Sequence, residues 1–177
     1  MGLIRDRLEM SGRVAVVTGG GRGIGRGIAE ALCEVGAAVV IAELDEELGP
    51  AAELELSEAG HAARWVRTNV RDGESIEAMM AETISRHGRV DVLVNNAGGM
   101  FRAPALDISE RGFLAVVNQN LTSTFLASRA AAKAMARQGG SIVNIASIAG
   151  MVGHLDSVHY ASAKAGIIGL TRSLAAE

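Results

Sequence analysis

The chain has 177 residues, of which 49% are hydrophobic and 21% charged, and its formal net charge is −3. These values fit one globular domain over residues 1–177. They argue against a nucleic-acid-binding protein, which needs clustered basic charge, and no apolar run approaches the roughly 20 residues that span a bilayer. The charged N-terminus and the single cysteine, Cys33, predict a cytoplasmic protein without disulfides in which Cys33 is a core residue.

Short β-branched runs alternate with helical patterns along the chain. The predicted strands are RVAVVT (13–18), AAVVIA (37–42), HAARWVR (61–67), VDVLVN (90–95) and SIVNIA (141–146). The predicted helices follow them, from the glycine cluster to residue 34 and over residues 45–59, 74–87, 109–138 and 157–177. Repeated strand–helix alternation predicts an α/β fold with a doubly wound, Rossmann-like parallel sheet. Trp65 and the Met79-Met80 pair are predicted to pack in the core or against helices.

A glycine cluster joins the first predicted strand to the first helix. The segment TGGGRGIG (18–25) carries five glycines in seven residues, with Gly19, Gly23 and Gly25 spaced G-x-x-x-G-x-G. Glycines there allow a turn of unusual φ and a close backbone approach, and the helix N-terminus then faces an anionic phosphate. The segment predicts a nucleotide site, although a purely structural tight turn would use some of the same glycines.

The second strand ends at an acidic residue that bears on the choice of nucleotide. Glu43 stands 18 residues beyond Gly25 (43 − 25), near the spacing at which a carboxylate meets the ribose diol of NAD. Arg22 favours NADP instead, because a guanidinium can pair with a 2′-phosphate. Asp45 is a less well placed rival of Glu43, and Glu43 would alternatively be a solvated strand end. We expect NAD, with NADP possible.

The last helix carries a tyrosine and a lysine one turn apart. In HYASAKAG (159–166), Tyr160 and Lys164 fall on one face of the helix. A free tyrosine has a pKa of about 10, so its use as a base near pH 7 requires about 4 kcal/mol. An ammonium about 4 Å away, at an effective dielectric constant of about 20, supplies about that much. The two side chains are therefore a candidate proton-transfer pair.

Taken together, these features resemble the short-chain dehydrogenase/reductase family. The motifs that carry the resemblance are TGGGRGIG (18–25), NNAG (95–98), Asn120 in NQNLTSTF, Ser147 in NIASIAG and YASAK (160–164). Ser147 stands 13 residues before Tyr160, an interval common in that family. The nearest members in character are the 3-oxoacyl-carrier-protein reductases and related bacterial alcohol or sugar dehydrogenases.

The resemblance implies an NAD(P)-dependent oxidoreductase that uses no metal. Its substrate would be a small molecule, a secondary alcohol that it interconverts with the ketone. Tyr160 would be the general acid/base, Lys164 would bind the nicotinamide ribose and favour the phenolate, and Ser147 would hydrogen-bond the substrate oxygen. Asn120 would hold a water that links Lys164 to solvent. The cofactor would contact Gly19, Gly21, Arg22, Gly23, Ile24, Gly25, Glu43, Asn69, Val70, Asn96, Ala97, Gly98, Tyr160 and Lys164.

The resemblance also implies features beyond this chain. Family members run to roughly 250 residues, so C-terminal strands and a substrate loop would be missing, and we expect a longer native polypeptide. The fifth strand would then be an open sheet edge. A homotetramer or homodimer is implied, with helix pairing to which the alanine-rich stretch 127–136 would contribute unless it faces its own sheet.

Other readings remain at this point. A non-catalytic nucleotide sensor or scaffold is possible on the same fold, whereas a methyltransferase leaves Tyr160 and Lys164 unexplained. His154, Asp156 and His159 would either line a substrate mouth or, as we favour, be exposed loop residues.

Overall fold

A computed structural model describes residues 8–177 of the chain as a five-stranded parallel sheet covered by helices. The strands are β1 (Val14–Thr18), β2 (Ala38–Glu43), β3 (Ala63–Arg67), β4 (Val92–Asn95) and β5 (Ser141–Asn144). The helices are α1 (Gly23–Glu34), α2 (Leu48–Glu58), α3 (Gly73–His87), α4 (Glu110–Val117), α5 (Ser123–Met135) and α6 (Val158–Leu174). The spatial order is β3-β2-β1-β4-β5, which confirms the predicted doubly wound fold.

The central strands are apolar on both sides because helices cover both faces of the sheet. On one face Val16, Val40 and Leu93 pack with side chains of α3 and α5. On the other face Val17 and Ile41 pack with side chains of α1 and α2. This two-sided burial explains why these strands read as continuous apolar runs.

Several core predictions are resolved by this packing. Cys33 is buried in α1, and burial raises the pKa of its thiol to about 11. Met79 and Met80 are buried in α3. The alanine-rich stretch faces its own sheet, because Ala127, Ala130 and Ala131 of α5 lie in the core cluster with the strands. That face therefore supplies no surface for pairing with another subunit.

The predicted long helix over residues 109–138 is wrong in one respect. A π-helical turn, Asn118–Thr122, separates α4 from α5. The Asn120 side chain explains the interruption, because its Nδ2 donates to the carbonyl of Val116 at 2.8 Å and to that of Gly99 at 2.8 Å. A polar side chain that inserts into the helix ladder in this way widens the turn locally.

At the amino ends of the strands, a buried carboxylate joins β1 to β4. Asp91 is 5% exposed and accepts hydrogen bonds from Arg13 at 2.8 Å, from Arg89 at 2.6 and 2.8 Å, and from the Val14 N–H at 2.9 Å. Burial opposes ionisation of this carboxyl, but the hydrogen bonds from Arg89, Arg13 and Val14 outweigh it and lower its pKa to about 2. The hydrogen bonds to Asp91 thus offset the cost of burying its charge, and its role is structural.

The strand β5 lies at the edge of the described sheet, as expected from the strand order. Its residues alternate between exposed and half-buried, and Val143 is 47% exposed. Within residues 8–177, no helix combines the length and the apolar character that crossing a bilayer would require.

Candidate active site

The glycine turn after β1 is fastened to the segment after β4. Asn96 donates through Nδ2 to the carbonyls of Thr18 and Gly19 at 3.0 and 3.2 Å. The Thr18 hydroxyl accepts from the N–H groups of Asn96 and Ala97, both at 3.0 Å. The two segments thus form one rigid floor at the carboxyl ends of β1 and β4, where parallel sheets place ligands.

Three glycines in this turn are required by geometry. Gly19 and Gly23 have φ values of +63° and +57°, a region that side chains disfavour. A Cβ on Gly25 would lie 2.2 Å from the Gly19 carbonyl oxygen, so α1 packs directly on the turn. The side chain of Arg22, the N-cap residue of α1, forms no capping hydrogen bond with the first N–H groups of the helix. Free amides at a helix N-terminus suit an anionic phosphate.

A cleft of about 520 Å³ opens over this floor. Ten of the predicted cofactor residues line it: Gly19, Arg22, Gly23, Ile24, Glu43, Asn69, Val70, Asn96, Ala97 and Gly98. Four others do not line it: Gly25 lies beneath the turn, Gly21 packs against Glu43, and Tyr160 and Lys164 lie beyond it. Thr68, Arg71 and Gln119 also line the cleft but were missed, although Thr68 and Arg71 follow β3 at the same sheet edge and position alone would have marked them.

Glu43 sits at the rim of the cleft in a fixed position. Its carboxylate accepts from the N–H groups of Gly21 at 3.2 Å, Leu44 at 2.8 Å and Asp45 at 3.2 Å. A Cβ on Gly21 would lie 2.8 Å from the Glu43 Cγ, so this glycine admits the side chain. Asp45, the rival acid, instead accepts from the N–H groups of Leu48 and Glu47 at the start of α2, and these hydrogen bonds lower its pKa.

Arg22 and Asn69 line the cleft together with Glu43. Arg22 is exposed, and its charge also helps to lower the pKa of Asp45. The Asn69 carboxamide oxygen accepts from the Arg71 N–H at 3.1 Å. Asn69 therefore holds the loop after β3 in place beside the cleft.

Tyr160 and Lys164 come together on α6 as the spacing predicts. Lys164 is 5% exposed, and its Nζ lies 5.6 Å from the centroid of the half-buried Tyr160 ring. Nζ donates to the Ile145 carbonyl at 2.7 Å, just beyond β5. Burial lowers the pKa of this ammonium. No carboxylate of residues 8–177 forms a salt bridge with it.

Asn120 and Ser147 border the same region. A Cβ on Gly98 would lie 2.5 Å from Asn120 Oδ1 and 3.8 Å from Lys164 Nζ, which places all three residues side by side. Ser147 begins a 3₁₀ turn (Ile148–Gly150) and accepts from the Ala149 N–H at 3.2 Å. A Cβ on Gly150 would lie 2.6 Å from the Lys164 carbonyl carbon, so this turn rests directly on α6.

His159 is neither an exposed loop residue nor part of a substrate mouth. It is fully buried, and its Nδ1 accepts from the Tyr160 N–H at 2.9 Å, which requires the tautomer with a proton on Nε2 if the ring is neutral. Its ring meets the edge of Phe101 with centroids 4.5 Å apart. His154 and Asp156 are exposed, as expected. His159 therefore links the loop after β4 to the start of the helix that carries Tyr160.

Fold and site together define a dinucleotide-binding α/β protein with a tyrosine–lysine pair beside the cleft. Residues 13–177 match the family described as short chain dehydrogenase. The chain belongs to this family. Among residues 8–177 there is no group of three or more histidine, cysteine, aspartate or glutamate side chains arranged to hold a metal ion.

Relatives and solved structures agree with this assignment. The chain is 44% identical over 165 residues to cis-4-hydroxycyclohexanecarboxylate dehydrogenase of Sinomonas cyclohexanicum, covering 92% of this chain and 66% of that protein. It is 38% identical over 171 residues to the 3-oxoacyl-[acyl-carrier-protein] reductase FabG of Vibrio cholerae, covering 96% and 69%. A short chain dehydrogenase from Mycobacterium smegmatis superposes with a TM-score of 0.90 at 36% identity, covering 93% and 70%. The chain thus spans about two thirds of the length of these relatives.

Proposed function

We propose that this chain forms the cofactor-binding and proton-transfer part of an oxidoreductase that interconverts a secondary alcohol and a ketone with NAD. The observation that carries the proposal is the buried Lys164 ammonium, 5.6 Å from the centroid of the Tyr160 ring. A buried lysine without a salt bridge is costly for a structural role alone. Next to a phenol, it favours the ionised oxygen that proton transfer requires.

The cleft has the features that a dinucleotide needs. Uncapped N–H groups of α1 and the open space at Gly23 suit a pyrophosphate. The Glu43 carboxylate at the rim suits a ribose diol and repels a 2′-phosphate. Because Asp45 already caps α2, Glu43 is the better candidate for this role. NAD is therefore favoured over NADP, although the exposed Arg22 would suit NADP.

The proton is handled by residues of this chain. The nicotinamide of a bound cofactor would supply the hydride acceptor for oxidation and the hydride donor for reduction. Tyr160 takes the hydroxyl proton onto its phenolate oxygen during oxidation and gives it back during reduction. Lys164 would stabilise the phenolate electrostatically and would also hold the cofactor ribose, while its hydrogen bond to the Ile145 carbonyl fixes the direction of its side chain. Ser147 holds the substrate oxygen against Tyr160.

Asn120 has the least direct role. Its amide hydrogens are used by the carbonyls of Gly99 and Val116, so its side chain shapes the wall beside Gly98 and Lys164. We assign it the placement of a water that passes protons between Lys164 and solvent, in agreement with the resemblance. The widened turn around Asn120 supports this role, because π-helical turns recur at functional sites.

The test is turnover and nucleotide binding measured on the same protein. A panel of secondary alcohols and ketones with NAD and NADP is followed by absorbance of the reduced nicotinamide. Tyr160→Phe should lower turnover roughly 100-fold or more, the usual contribution of general acid–base catalysis, with an unchanged Kd for NAD. Ser162→Ala is a matched control, because Ser162 is exposed on the same helix. Undiminished turnover by Tyr160→Phe, or no binding of either nucleotide by the unaltered chain, would contradict the proposal.

A second candidate is reduction of a 3-oxoacyl group on acyl carrier protein with NADPH. The 38% identity to the Vibrio reductase favours it, and so does Arg22, whereas Glu43 argues against it. The nucleotide panel separates the two, since this candidate requires tighter binding of NADPH than of NADH. A non-catalytic nucleotide sensor would bind a nucleotide without turnover of any compound.

We also propose a cytoplasmic homotetramer or homodimer. Leu114 of α4 and Phe125 of α5 are 46% and 39% exposed, and Arg129 lies 5.6 Å over the Phe125 ring. Apolar side chains on these helices suit contact with a second copy. Light scattering coupled to size-exclusion chromatography, with Phe125→Glu as the disrupting variant, would measure the oligomeric state.

A further inference from the structure

The single tryptophan, Trp65 in β3, packs on the helix that follows Glu43. A Cβ on Gly49 of α2 would lie 2.2 Å from the indole Nε1 and 2.3 Å from Cδ1. No side chain other than hydrogen fits between the ring and the helix backbone at this position. Gly49 is therefore the residue that admits the indole.

The indole also binds the backbone of Glu43. Trp65 Nε1 donates to the Glu43 carbonyl oxygen at 3.0 Å, and the Thr68 N–H donates to the same oxygen at 3.0 Å. The carboxylate of Glu43 is fixed separately by N–H groups that include those of Gly21 and Leu44. Both ends of this residue are thus held by hydrogen bonds, although it ends a strand and lies at the rim of a cleft.

A second set of contacts holds Trp65 itself. The backbone N–H of Trp65 donates to Glu53 Oε2 at 2.8 Å, and the other carboxylate oxygen of Glu53 accepts from the Arg64 guanidinium at 2.9 Å. Glu53 is on α2, so these hydrogen bonds also join β3 to α2. The Trp65 indole therefore connects α2 to the end of β2 and is held in place at both.

We propose that Trp65, admitted by Gly49, is a positioning residue that sets the preference of the cleft for a ribose 2′-hydroxyl over a 2′-phosphate. The inference rests on the proposed NAD site. A carboxylate held at the rim repels a 2′-phosphate, and this repulsion weakens when the backbone that carries it is free to move. Arg22 beside it then pairs with the phosphate unopposed.

Two variants perturb the contacts of the Trp65 indole in different ways. Trp65→Phe keeps an aromatic ring over Gly49 but removes the N–H donor. Gly49→Ala keeps the indole but displaces it from the Glu43 carbonyl. Gly169→Ala is the matched control, because Gly169 is also helical and a Cβ there meets nothing within 4 Å.

Calorimetric titration of NAD and NADP into each protein gives the ratio of the two dissociation constants. We expect Trp65→Phe and Gly49→Ala to reduce the preference for NAD about 5-fold, the size of one hydrogen bond's net contribution. Gly169→Ala should leave the ratio unchanged. The double variant Glu43→Gln, Trp65→Phe should have the same ratio of dissociation constants as Glu43→Gln alone. The reason is that the carboxylate that Trp65 positions is absent from both.

Equal weakening of NAD and NADP by both variants would mean a merely structural role and would overturn the inference, as would an unchanged ratio. If both variants fail to fold, the fluorescence emission of Trp65 in the unaltered chain serves as the test. NAD should change this emission. Calorimetric binding of NAD without an emission change would contradict the positioning role of Trp65. If the unaltered chain binds neither nucleotide, the proposed function itself fails. If the chain binds NAD but the changes at Trp65 and Gly49 do not alter the NAD preference, only this inference fails and the proposed function stands.

Discussion

Replacement of Lys164 by methionine should make the protein more stable while removing turnover. The ammonium is 5% exposed, it has one hydrogen bond, to the Ile145 carbonyl, and burial lowers its pKa. Methionine has a similar length and no charge to desolvate. We expect the free energy of unfolding at pH 7 to rise by about 1 kcal/mol, within the range of known stabilising substitutions. That change corresponds to about 2–4 °C in Tm for a chain of this size.

The pH dependence identifies the cause. A lysine whose pKa is lower in the folded than in the unfolded protein binds fewer protons when folded. The stability of the unaltered protein therefore rises with pH until the unfolded pKa of about 10.4 is passed. Urea unfolding of both proteins from pH 7 to pH 10.5 should show the advantage of Lys164→Met shrinking along this interval. A variant less stable than the unaltered protein at pH 7, or an advantage independent of pH, would refute the reasoning.

Three further predictions concern stability and reactivity. Asp91→Asn should lower the free energy of unfolding at pH 7 by about 1–2 kcal/mol. Linkage from a pKa of about 2 sets an upper limit of about 2.5 kcal/mol, and solvent screening of the partly exposed arginines reduces it. Because the folded pKa is depressed, this difference in urea unfolding should vanish as the pH falls from about 4 toward 2; persistence at pH 2 would contradict it. Asn120→Asp should destabilise by about 3 kcal/mol at pH 7, more than Asn120→Ala, because a carboxylate would face two carbonyl oxygens; its deficit should shrink in acid. Cys33, with a thiol pKa of about 11, should react with a thiol reagent at pH 8 at least roughly 100-fold faster in urea than in the native protein, and equal rates would show an accessible thiol.

The fold was predictable because its signals are local. The apolar run at 13–18 and the glycines after it specify a strand, a turn and a helix within a short stretch, and the order of such units fixes the sheet. The spacing of Tyr160 and Lys164 places them together for the same reason, since both lie on one helix.

The features that the sequence does not predict depend on residues far apart in the chain. The π-helical turn at Asn120 forms because its amide meets the carbonyl of Gly99, 21 residues away. His159 is buried, and its ring contacts Phe101, which lies in the loop after β4. The sequence predicts Trp65 to be a packing residue, but not its hydrogen bond to Glu43, which spans 22 residues. None of these partners can be chosen before the strand order is known.

Two charged side chains, Asp91 and Lys164, are buried within residues 8–177, and they differ in a way that separates structure from chemistry. Asp91, at the amino ends of the strands, has two arginines and a backbone N–H as partners. Lys164, near their carboxyl ends, has one carbonyl and no salt bridge within residues 8–177. Folding alone favours the first arrangement and disfavours the second. In the proposed function, a bound ligand or a reacting oxygen beside Lys164 would supply the compensation that the fold itself lacks. The carboxyl edge of the sheet, where the cleft opens, is where such a ligand would lie.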